Sequence, residues 1–196
     1  MNKVVLIDNG HGIETPGKRS PDSKLIEGVW AREIASLIVR SLCSMGIDAR
    51  LLTPETNDIG LSMRVERANA LCRKIGADNV MLVSIHVNAA GDSKQWKTAR
   101  GFLSFISPNA GGGSKRLARL LYEAAEQRGL KGNRWVTKEK YSVKSLAICR
   151  DTQCPAVLTE NLFMDNKEDC AYLLTEKGKA TIVEAHIEAI LKYIES

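Results

Sequence analysis

The stretch KVVLIDNGHG, Lys3 to Gly12, decides how the rest of the chain reads. An apolar run ends at two glycines that flank one of only three histidines in the 196-residue sequence. The run spells a buried strand, Lys3–Asp8. Glycine adopts backbone conformations other residues avoid, so Gly10 and Gly12 predict a tight turn that brings His11 close to something. Five further short apolar runs read the same way: Ala49–Thr53, Val80–His86, Gly101–Ser107, Leu146–Arg150 and Ala156–Glu160.

Between these runs the apolar period changes to that of a helix. Ile26, Trp30, Ile34, Leu37, Ile38 and Leu42 form one stripe, with Gly46 as its stop. Leu61, Val65, Ala68, Leu71 and Ile75 form a second, with Ser62 as candidate cap and Gly76 behind it. Leu117, Leu120, Leu121 and Ala124 form a third, ended by Gly129, and Ile182, His186, Ile190 and Ile194 a last one. Strands alternating with helices predict an α/β fold: a single domain over residues 1–196, with a largely parallel sheet of about six strands flanked by helices. The linker-like SPNAGGGSK, Ser107 to Lys115, has the same alternation on both sides and reads as a loop.

Composition narrows the classes. With 44% hydrophobic and 26% charged residues the chain can bury a sizeable core. No apolar run approaches the roughly 18–20 residues of a membrane span. The opening MNKVVLIDNG has neither the long apolar stretch nor the cleavage site of a signal peptide, so synthesis in the cytoplasm is expected, or an export signal that lies outside this sequence. Five irregularly spaced cysteines argue for reduced thiols, mostly in the core, including Cys149 and Cys154. A net charge of +5 suits a partner with carboxylates or phosphates. It is too small, without a recognition motif, to indicate nucleic acid.

In open α/β sheets ligands sit outside the carboxyl ends of the strands. His11 follows the first strand, His86 in LVSIHVNAA closes the third, and Glu160 in AVLTENLF closes the last. Glu27 falls inside the apolar stripe of the first helix, in its first turn, where an unpaired charge is costly. Pairing with Lys24 or Arg32 would be the plain explanation. Two imidazoles and one carboxylate are also the donor set of a catalytic zinc site with one position left open, where the metal lowers the pKa of a water to about 7. A further carboxylate can then move the proton. His186 lies on the inner stripe of the terminal helix with no acidic or histidine partner nearby, and reads as a packing residue.

VVLIDNGHG, Glu27, SIHVNA and PAVLTENLFMDNKED resemble, in order and spacing, the zinc-dependent N-acetylmuramoyl-L-alanine amidases. The likeness runs over nearly the whole chain and includes LSMRVERAN before the second histidine strand and Gly101 at the start of the next. The resemblance implies hydrolysis of the amide between N-acetylmuramic acid and L-alanine in peptidoglycan, zinc ligation by His11, Glu27 and His86, and a catalytic role for Glu160. A single catalytic domain of this kind, with no visible signal, suits a phage or prophage endolysin, with a host enzyme as the alternative, and a monomer is favoured. Two positions depart from the pattern: Asn9 stands where the family often has proline or alanine, and Pro54 where it often has arginine. The connections from His11 to Glu27 and from His86 to Gly101 are too short to hold a helix that would block the metal. The basic, aromatic stretch Gly129 to Ser145, with Trp135, Tyr141 and Lys144, is a candidate substrate contact or merely a solvated loop. A zinc peptidase of the stem peptides and a non-catalytic wall-binding module are the alternatives. Retention of all four site groups and the length of the resemblance favour the amidase.

Overall fold

The computed structural model describes residues 3–195. In chain order the elements are β1 (Val4–Asn9), α1 (Glu27–Ser44), β2 (Ala49–Leu51), α2 (Leu61–Ile75), β3 (Val80–Asn88), β4 (Leu103–Ile106), α3 (Gly112–Gln127), β5 (Ser142–Val143), α4 (Ala147–Arg150), β6 (Ala156–Phe163), α5 (Lys167–Leu173) and α6 (Glu176–Ile194). The strands form one six-stranded sheet in the order β2-β1-β3-β6-β4-β5. β2, β1, β3 and β6 run parallel; β4 pairs antiparallel with β6, and β5 parallel with β4. This is the α/β architecture, largely parallel, that the alternating pattern predicts.

The central strands bury both faces, which is why they read as continuous apolar runs rather than alternating ones. Val5 and Ile7 of β1, Met81, Val83 and Ile85 of β3 and Val157 of β6 join the core shared with α1, α3 and α6. Their sequence neighbours Val4, Leu6, Val80, Leu82, Ala156 and Leu158 face a second core with residues of α2 and α4. The period of two thus divides each strand between two layers of helices. The first crossover lies on one face and the second on the other. The chain ends leaving β1 and β3 therefore diverge, and a crevice opens between them.

Two expectations fail. The run Leu146–Arg150 is not a strand: Leu146 is extended, and Ala147–Arg150 turn into α4. Ile148 and Cys149, consecutive in sequence, are both buried in the same core, a placement a helical turn permits and a strand does not. The sixth strand is instead the two-residue β5, on the sheet edge. Ser62 does not cap α2; the cap position is Gly60, with no side-chain bond. The short α5 was not legible in the apolar pattern, although Asn166 caps it by accepting from the Glu168 and Asp169 amides. Gly46, Gly76 and Gly129 follow their helices with φ of 80°, 91° and 75°, as stops should. Four of the five cysteines are buried free thiols, Cys149 and Cys154 among them.

Candidate active site

Three of the four candidate residues come from the crevice between β1 and β3, and the fourth from the strand beside it. His11 leaves the end of β1 with a φ of 60°. The left-handed residue of the turn is thus the histidine itself, not its glycines, whose role is a different one. A Cβ on Gly10 would stand 2.4 Å from Cε1 of the His86 ring, and one on Gly28 would stand 2.2 Å from the Gly12 carbonyl oxygen. Gly10 makes room for the second histidine, and Gly28 lets the start of α1 press against the turn. The Arg32 guanidinium fastens the same junction, donating to the carbonyls of His11 (2.8 Å), Gly28 (2.9 Å) and Glu55 (2.8 and 3.0 Å). Pro54 is exposed beside that last carbonyl, and Asn9 is buried against Thr53.

Glu27, the first residue of α1, is 1% exposed. It pairs with neither Lys24, which lies by Asp22, nor Arg32. Its Oε1 accepts from the Val87 amide (3.1 Å) and meets His86 Nδ1 at 3.0 Å. Its Oε2 is buried without a hydrogen-bond partner and lies 3.6 Å from His11 Nε2. The two imidazole rings stand 5.0 Å apart and nearly perpendicular. One donor atom from each of His11, Glu27 and His86 falls within 4.8 Å of the others, the one such His/Cys/Asp/Glu cluster among the described residues. Donors about 2.0–2.2 Å from a common tetrahedral centre lie about 3.3–3.6 Å apart, so the cluster is compatible with a metal ion once its widest pair draws in. A cation there would also satisfy the orphaned Oε2.

Burial alone would raise the Glu27 carboxyl, but the His86 hydrogen bond and the two nearby rings hold it below the ordinary range. Burial pulls the His86 ring down, and Glu27 outweighs this and raises it. Burial lowers His11 to about 4 against the pull of Glu27, so at neutral pH it is an unprotonated imidazole with a free lone pair.

Glu160 sits opposite His86 across the β3–β6 ladder. Its Oε2 is buried and unpartnered. Burial pushes the carboxyl up to about 7; His86 opposes the rise and the Glu27 charge adds to it. A carboxyl poised there exchanges a proton readily at neutral pH. His11, His86 and Glu160 line a cleft of about 540 Å³, together with Lys18, Arg64 and Lys144. Of the basic residues between 129 and 145 only Lys144 reaches it; Lys131 and Lys140 are tied to Glu126 at 2.9 Å, and Trp135 is 82% exposed. His186 is wholly buried, between the Ile182 carbonyl (2.8 Å) and Thr159 (3.0 Å), a packing residue as its setting predicts.

The sequence reading passed over the support beneath the site. Asp8 accepts from Arg64 Nη1 (2.8 Å) and the Ser84 hydroxyl (2.6 Å), all three side chains buried. Arg64 also donates to the Asn9 carbonyl, immediately before the histidine turn. The available signal was an arginine in register with Ala68 and Cys72 on the buried stripe of α2.

The profile of the N-acetylmuramoyl-L-alanine amidase family matches residues 5–192. Among curated proteins, an endolysin of Bacillus phage SPP1 is 29% identical over 199 residues, covering 99% of this chain and 67% of its own. A sporulation-specific N-acetylmuramoyl-L-alanine amidase of Bacillus subtilis is 27% identical, covering 95% and 66%. The chain thus spans about two thirds of the length of these relatives. Among solved structures, an N-acetylmuramoyl-L-alanine amidase from Clostridium difficile 630 superposes with a TM-score of 0.81 at 27% identity, over 100% of this chain and 98% of that one. The catalytic domain of the amidase CwlV from Bacillus (Paenibacillus) polymyxa shares the fold, with a TM-score of 0.79 at 23% identity and 98% of each chain covered. With this fold, and a profile match over nearly its full length, the chain belongs to the N-acetylmuramoyl-L-alanine amidase family.

Proposed function

We propose that the chain hydrolyses the amide between the lactyl group of N-acetylmuramic acid and the L-alanine of the stem peptide, acting on the cell wall. The family supports the bond and the substrate. The observation that carries the chemistry is the buried Glu27 carboxylate, bonded to His86 through one oxygen and holding the other, unpartnered, beside His11. We assign His11, Glu27 and His86 as zinc ligands and Glu160 as the general acid and base. Zinc held there would supply a water of pKa near 7 and polarise the scissile carbonyl.

The protein's own groups do the rest. The Asp8–Arg64 ion pair and the Arg32 bonds hold the His11 turn, so the donor set is formed in advance. Glu160 takes the proton of the attacking water and passes it to the alanine nitrogen as that bond breaks. Its raised pKa suits both halves of the transfer. The Glu160 carboxyl then returns to its starting state when the amine leaves.

Digestion of purified sacculi tests the reading. Release of stem peptides with new alanine amino termini, leaving intact glycan strands, is the expected result. Trimming only at the far end of the stems would assign the fold to a peptidase instead. Preparations stripped by a chelator should be inactive and recover with added zinc, and full activity in verified metal-free protein would remove zinc from the scheme.

A further inference from the structure

Three basic side chains, Lys18, Arg64 and Lys144, line the cleft with three carboxyl groups, Asp8, Asp58 and Glu160, but they are not paired one to one. Arg64 is answered by Asp8 at 2.8 Å and Asp58 at 3.3 Å. Lys18, in the loop between β1 and α1, and Lys144, just after β5, also line the cleft. Among the described residues neither ammonium group is in direct ion-pair contact with a carboxylate, and Lys144 Nζ stands 5.9 Å from the Phe105 ring. The charges of both act on Glu160. The two lysines come from segments far apart in sequence, and the fold sets both at the cleft where His11, His86 and Glu160 meet.

Two unanswered ammonium groups beside a reacting centre favour a ligand that brings negative charge. At about 540 Å³ the cleft is of small-ligand size, so it reads groups close to the scissile bond rather than the whole stem. In a peptidoglycan stem the first free carboxylate beyond the scissile amide is the α-carboxylate of the γ-linked D-glutamate, the second residue. We propose that Lys18 and Lys144 are specificity residues that bind this carboxylate, so that the site prefers stems carrying free D-isoglutamate over stems in which that group is amidated. The proposal rests on the amidase reading and names the substrate class of the same site.

The test compares N-acetylmuramoyl-L-alanyl-D-isoglutamate with its D-isoglutamine analogue, which differs in one charged group. Binding is measured by calorimetry on zinc-loaded Glu160→Gln protein, where turnover is suppressed. The acid should bind several-fold to about tenfold more tightly at low salt, a preference that shrinks as ionic strength rises. The Lys18→Met/Lys144→Met protein should bind both alike, and the corresponding double arginine variant should keep the preference. In the otherwise wild-type enzyme the double Met change should remove the acid-over-amide difference in kcat/KM, while any change in kcat that comes through Glu160 falls on both compounds alike. Equal affinity for acid and amide, or a preference that survives in the double Met protein, overturns the proposal. Failure of the amidase reading shows separately, as absence of cleavage of either compound by zinc-loaded wild type, while the binding comparison still decides the role of the lysines.

Discussion

Glu27 and Glu160 are both carboxylates at one cleft, yet their surroundings give them opposite electrostatics. Glu27 is held ionised by two imidazoles, and Glu160 is pushed by burial toward neutrality at pH 7. Their replacements should therefore fail differently. Glu160→Gln keeps the three donors and should retain zinc and melting temperature while losing about 10² to 10⁴ in turnover. Glu27→Gln should lose zinc first and regain part of its activity in excess metal. Bound zinc and kcat, measured side by side, decide this, and metal loss with rescue in Glu160→Gln would exchange the two roles. Gly10 tests the geometry from the backbone side. Its alanine variant places a methyl within 2.4–2.7 Å of three atoms of the His86 ring, which must move. Misplacement on the order of 1 Å can cost about 10²-fold, so turnover and zinc content should both fall. Gly112→Ala, in α3 away from the cleft and with nothing within 4 Å of the added methyl, serves as the control. Full zinc and normal turnover in Gly10→Ala would show that the ring has room to spare.

Between elements, the packing of α6 on the sheet depends on a neutral histidine. His186 donates through Nδ1 to the Ile182 carbonyl on its own helix, which leaves Nε2 to accept from Thr159 on β6. Burial lowers its pKa from 6.5 to about 4, and no charged side chain contributes to the shift. The unfolded chain takes up this proton below about pH 6.5 and the folded protein only near pH 4. Stability is therefore undiminished above pH 6.5 and is lost progressively down to about pH 4, by up to about 3 kcal/mol. Urea melts at pH 7 and pH 4.5 on wild type and His186→Gln should show the stability gap between them narrowing at the lower pH. A gap that does not change with pH would mean that His186 titrates normally. Element boundaries show where sequence patterns lose force. Leu146–Arg150 is too short for its apolar period to separate a strand from a turn of helix, and the cores on either side of the sheet made the choice.

At the scale of the molecule, the cluster draws on residues 11, 27 and 86, from three segments that only the folded sheet brings together. A metal bound there binds the native state alone and stabilises it. At free zinc about a hundred times the dissociation constant the gain is about 2.7 kcal/mol. For a chain of this size that corresponds to a rise of about 5–10 °C in Tm. Thermal melts of stripped protein with and without zinc should show it, with the rise lost in His11→Ala and His86→Ala. An unchanged Tm across a zinc titration would count against a site formed by this cluster.

The sequence by itself determined the layer architecture, because strand and helix periods are local and each central strand is apolar on both faces. It also pointed to the residues to watch, toward the carboxyl ends of parallel strands, although β3 continues to Asn88 past His86 and β6 to Phe163 past Glu160, so neither residue closes its strand as its apolar run suggested. Only the tertiary structure decided what the glycines beside His11 are for. Gly10 is needed by the His86 ring and Gly28 by the Gly12 carbonyl, contacts between segments with no local signature. The same holds for Arg32 and the Asp8–Arg64 pair, whose partners are backbone carbonyls and side chains remote in the chain. It holds too for Lys144, which the edge strand β5 delivers to the cleft while Lys131 and Lys140, of the same basic stretch, turn back to Glu126. Hydrophobic period is written in neighbouring residues, whereas close approach and charge pairing are properties of distances that exist only once the chain has folded.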